Sequence, residues 1–149
     1  MNTQKIMISL DFISPKKSYL FIINFLLGLI LALSFEPFSI PFLSLFVIGL
    51  FFLLNDFVYK NLRRHHKIFF YNGLFFGFGF FLLSMYWVSN SILELDAELI
   101  YYSIIIFIFF PLSLSFFLGI MQTVNAFFWS ESNSKIFYFS STWIIFEYL

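Results

Sequence analysis

The chain has 149 residues, 61% of them hydrophobic and 11% charged, with eight basic and eight acidic side chains, no net charge and no cysteine. A water-soluble domain carries roughly 25% charged residues, so this composition excludes a soluble globular fold. The missing cysteine excludes disulfides, thiolate metal sites and a cysteine nucleophile, and the even charge balance offers nothing to a nucleic acid.

The charges fall in short clusters, and Asp, Glu, Lys and Arg are absent from residues 18–35, 37–55, 68–93, 99–130 and 136–146. About 20 apolar residues cross a hydrocarbon core of about 30 Å. The expected fold is therefore an all-α membrane protein, a polytopic transmembrane helix bundle of about five spans. They are placed at about 18–35, 41–54, 68–88, 99–129 and 136–149, behind a cytoplasmic segment 1–17, and the last span reads as truncated. The 27 Phe, with frequent Ile, Asn and Lys, read as the imprint of AT-rich coding DNA rather than a role for phenylalanine.

The first segment carries Lys5, Lys16 and Lys17. A run of apolar residues 19–33 and the small residues Ala32 and Ser34 also fit a secretory signal, but the run sits at the long end for a signal core. In the hairpin that follows, Pro37 bars Glu36 from helical geometry, which ends the first helix there in an extended residue. Pro41 then opens the second helix at its first turn.

Lys60, Arg63, Arg64 and Lys67 follow the second span, and His65-His66 among them reads as a solvated loop rather than a metal site. In the third span Gly73, Gly77 and Gly79 are small residues at packing intervals, as are Gly28/Ala32 and Ser115/Gly119 elsewhere. Such spacing lets helix backbones approach in lipid. These positions read as seams inside the bundle, with a homodimer interface as the alternative. Tyr86, Trp87, Tyr101, Tyr102 and Trp129 sit where amphipathic rings favour the membrane interface.

Glu94, Asp96 and Glu98 form an acidic outer loop. The fourth span is long, and Pro111 is its expected kink. Lys135 follows it. All eight basic residues then lie on one side and Glu36 with the acidic loop on the other, so the amino terminus is expected to be cytoplasmic. No internal repeat suggests a transporter built of inverted halves. The four complete spans read as free of ionisable side chains, unlike those of pumps and ion-coupled carriers. Glu36 and Glu147 lie near membrane depth. Glu36 reads as interfacial, or else as a contact to substrate or a partner domain. No cofactor or metal is expected.

Three segments together resemble the N-terminal membrane region of bacterial apolipoprotein N-acyltransferase. Residues 31–41, LALSFEPFSIP, are similar to that family's A/S-F-x-P-[FY]-x-x-x-P hairpin, through Glu36 and Pro37. Residues 77–92, GFGFFLLSMYWVSNSI, are similar to its G-F-G-x-F-x-x-x-x-x-W-V-x-x-S-I stretch, through Gly77, Gly79 and Trp87. Residues 143–149, WIIFEYL, resemble its W-x-x-x-E-[WF]-L-R-G segment stopped before the arginine, through Trp143 and Glu147.

The resemblance implies a bacterial inner-membrane protein. Its family moves an acyl chain from a phospholipid to the α-amino group of an apolipoprotein's lipidated cysteine, the final step of lipoprotein maturation. It implies a thioester on a cysteine, formed in a periplasmic nitrilase-like domain with a Glu-Lys-Cys triad. This chain has no cysteine and stops before such a domain, so no catalytic residue carries over. The expectation is an N-terminal membrane part, a fragment or a split or decayed gene product, inactive alone. A separately encoded nitrilase-like domain is a conceivable partner, besides the membrane, phospholipid and apolipoprotein. The alternatives are a small free-standing membrane protein that binds lipid or a partner, and a small transporter.

Overall fold

The computed structural model describes residues 15–62, 66–88, 91 and 100–148, without the side chains of 15–17 and 147. Lys5, Arg63, Arg64, His65, Glu94, Asp96 and Glu98, and the side chains of Lys16, Lys17 and Glu147, lie outside the described residues. The architecture is all-α: α1 (Pro15–Ala32), α2 (Phe42–Leu62), α3 (His66–Ser84), α4 (Ile100–Phe128) and α5 (Ser134–Glu147). By length and composition α2, α3 and α4 are apolar enough to cross a membrane. The apolar part of α1, Ser18–Ala32, and the 14 residues of α5 are shorter.

The helix limits differ from the sequence expectation in ways that have local causes. Helix α1 stops at Ala32, short of Glu36, because the N–H groups of Leu33, Ser34 and Phe35 turn back to the carbonyls three residues earlier. Such tighter hydrogen bonds are a usual helix ending. Glu36 is therefore one of the exposed residues of a turn rather than the extended end of a helix. The turn closes through the Ser39 N–H to the Phe35 carbonyl at 2.9 Å and the Ile40 N–H to the Leu33 carbonyl at 3.3 Å. Ser39 sits at φ 51°.

Helix α2 runs eight residues past the expected 54, to Leu62. It carries Asp56 and Lys60 on its last two turns, so the reading that no ionisable side chain lies within these spans is corrected. Helix α3 breaks after Ser84 at Met85, earlier than expected. Helix α4 continues through Pro111 without interruption. Lys135, expected in a loop, is in the first turn of α5.

The helices alternate in direction. One end of the bundle carries the turn at residues 33–41. The other, here the basic end, carries Lys60, Lys67 and Lys135. Helix α3 is central, packed along α4 on one side and α1 on the other. Because lipid tails are as apolar as the side chains, close van der Waals packing has to hold such contacts. The glycines allow it. A Cβ on Gly79 would overlap the Phe25 carbonyl oxygen of α1, and one on Gly28 the Phe76 carbonyl of α3. On the other side of α3, a Cβ on Gly73 would overlap the Leu118 carbonyl of α4. One on Gly77 would press to 3.0 Å on Ser115.

Candidate functional site

Two features of different chemistry occupy the interior, one near the basic end and one toward the turn end. At the basic end, Asp56 on α2 is buried and accepts from three donors. They are Lys135 Nζ of α5 at 2.5 Å, Lys60 Nζ one turn along its own helix at 2.8 Å, and Trp129 Nε1, just past α4, at 3.2 Å. Trp129, read from sequence as an interfacial ring, is in fact buried and packs against Phe52, Phe69 and Phe139. His66 is the first residue of α3 and stacks on Phe127 rather than lying in a solvated loop.

Beside the Asp56 cluster, starting from Asn55, the neighbour of Asp56 on α2, a chain of carboxamides crosses three helices. Asn24 Nδ2 of α1 donates to Asn72 Oδ1 of α3 at 3.1 Å, and Asn72 Nδ2 donates to Asn55 Oδ1 of α2 at 3.2 Å. The amide ends of Asn24 and Asn55 also donate to the Leu20 and Phe51 carbonyls. All three are fully buried, as are Gln122 and Asn125 of α4. Uncharged side chains of this kind do not interrupt the apolar runs and so leave no charge signal in the sequence. An Asn or Gln repeated at similar depth in successive spans was the available signal.

Toward the turn end lies a cavity of about 400 Å³ bounded by all five helices. That lies within the usual size range of small-ligand pockets. Its walls are nearly all aliphatic or aromatic, including Phe76, Leu118 and Met121. Among the described lining residues Ser44 supplies the one hydroxyl, which donates to the Pro41 carbonyl at 2.6 Å. Such a chamber suits a flexible apolar chain, and among the described residues its walls carry no acid–base pair.

The residues singled out in the sequence are distributed as follows. Trp143 lines the cavity. Gly77 and Gly79 lie at the helix contacts already described. Glu36 and Pro37 are exposed in the turn, and Trp87 is exposed beyond α3 with its carbonyl accepting from Ser91 Oγ. None of these three lines the cavity. Glu147 is the last residue of α5. The three sequence segments themselves converge, however. Leu31 and Phe35 come from the first, Phe80 and Phe81 from the second, and Trp143 and Phe146 from the third, and all six wall the same chamber.

The model of the apolipoprotein N-acyltransferase N-terminal domain family matches residues 27–149, most of the chain and all three segments. The chain belongs to that family. Searches of curated proteins and of solved structures each found no match. Within an apolipoprotein N-acyltransferase N-terminal domain, the match takes in the cavity, the Asp56 cluster and all of the carboxamide chain except Asn24.

Proposed function

We propose that this chain is the membrane part of an apolipoprotein N-acyltransferase. It serves the transfer of an acyl chain from a phospholipid to the amino terminus of a lipidated apolipoprotein. The observation that carries this reading is the convergence of the three family segments on one apolar cavity. In this reading the cavity end faces the periplasm, the amino terminus lies in the cytoplasm and the protein resides in the inner membrane. Glu36, Pro37 and Trp87, exposed at the same end, are then placed to meet a catalytic domain or substrate, and Glu147 leads toward that side.

The chain has no cysteine, so it does not form the acyl thioester itself. That group has to come from a nitrilase-like part, encoded in the same protein or in a second polypeptide. The test is complementation in a bacterium depleted of its own apolipoprotein N-acyltransferase, with mass spectrometry of a lipoprotein's amino-terminal peptide. N-acylated peptide is expected when this chain and a nitrilase-like part of the family are both produced, and not with either alone. Binding of phospholipid without any such acylation would instead point to a free-standing lipid-binding protein.

A further inference from the structure

Among the described residues, helix α5 is tied to α2 at one end. There Lys135 reaches Asp56, and one turn on Phe139 packs against Phe51 and Phe52. Farther along, the ring contact of α5 with another helix is Phe146 on Phe117 of α4. Between α2 and α5 lies the cavity, walled by Ser44 and Ile48 from one and Trp143 and Phe146 from the other.

Lys135 does not behave like a residue that serves only to mark a membrane side. A lysine at a helix end ordinarily extends its ammonium into water while its stem covers apolar surface, and even Lys60, though paired with Asp56, keeps its side chain 57% exposed. The Lys135 side chain is 11% exposed and turns instead to a carboxylate on a helix distant in sequence. The same carboxylate takes the indole N–H of Trp129, so it grips both sides of the α4–α5 connection.

We propose that Asp56 and Lys135 are a positioning pair: they hold the α4–α5 hairpin at the basic end so that the far half of α5 forms a wall of the cavity. The inference uses the functional reading only for what the cavity would hold. Its geometry is tested without lipid or acyl transfer, so either can fail alone.

Because the chain has no cysteine, thiol spin labels attach only where cysteines are introduced. Labels at Leu45 and Ile145, both exposed, measure the α2–α5 separation across the cavity. Labels at exposed Leu53 and Phe116 measure α2 against α4. Lys135→Met is the informative variant, because Asp56 keeps its Lys60 and Trp129 partners and no charge is orphaned. By pulsed electron–electron resonance in nanodiscs, Lys135→Met is expected to lose the narrow 45–145 distribution and keep the 53–116 one. Exchanging the pair, Asp56→Lys with Lys135→Asp, should restore the 45–145 distribution. That exchange is made in a Lys60→Gln background, which supplies its reference and avoids two lysines one turn apart. An unchanged 45–145 distribution in Lys135→Met overturns the proposal. So does broadening of both distributions, which would mean general loss of the bundle, and so does an exchange that restores nothing.

Discussion

A carboxylate within a membrane helix has little alternative to its protein partners, since hydrocarbon solvates it poorly. Asp56 therefore depends on Lys135, Lys60 and Trp129, and Lys135 depends chiefly on Asp56. Removing one partner of a buried ion pair costs about 3–5 kcal/mol, whereas replacing both by apolar groups is often nearly neutral. Asp56→Asn is expected to lower unfolding stability in micelles by about that amount, and Asp56→Asn with Lys135→Met to recover most of the loss. Equal losses in the single and double variants would show that the pair is not what stabilises. This cluster was hard to read from sequence because hydropathy ends a span at its first charge, which set the second span's limit before Asp56. The spacing of Asp56 and Lys60 on one helix face was visible. The link from Asp56 to Lys135 was not, since it joins helices whose adjacency no local pattern reports.

The helices themselves were legible, because a stretch without charges long enough to cross a bilayer has few other stable states. Their ends were not. Three short turns of hydrogen bonding at residues 33–35 ended α1 early, and a paired carboxylate extended α2. The glycine spacing predicted close contacts without naming partners, and those partners set the energetics. Gly79 meets the α1 backbone, which cannot yield as a flexible side chain can. Gly79→Leu is expected to destabilise the bundle by about 1–3 kcal/mol or more through overpacking. Gly49, also on a membrane helix, has nothing within 4 Å of its missing Cβ. Gly49→Leu should leave the unfolding transition in place. Thermal unfolding of both in the same detergent separates a packing contact from a general intolerance of bulk.

For the whole molecule, the proposed topology makes a direct prediction. Single cysteines replacing Ser39 in the turn and Lys67 at the basic end should react with a membrane-impermeant thiol reagent from opposite faces of inverted and right-side-out vesicles. Ser39 is expected to label from the periplasmic face and Lys67 from the cytoplasmic one; the reverse pattern would refute the orientation. The family was legible because its three segments keep their residue types and order. The cavity was not, because twelve residues scattered from Leu31 to Phe146 reach one chamber only after α3 packs between α1 and α4.

That central place of α3 bears on how the protein is made. Its contact with α1 is parallel, Asn24 beside Asn72 and Phe25 beside Gly79, and two parallel neighbours must be separated in synthesis by a helix running the other way. Helices α1 and α2 touch each other far less than either α1 or α4 touches α3. A nascent hairpin of α1 and α2 thus leaves the ribosome with its amide and glycine faces unmatched, and has to wait in the bilayer or beside an insertase. Chains arrested before α3 emerges should crosslink to the insertion machinery through Asn24 or Gly28, and chains arrested after it should not.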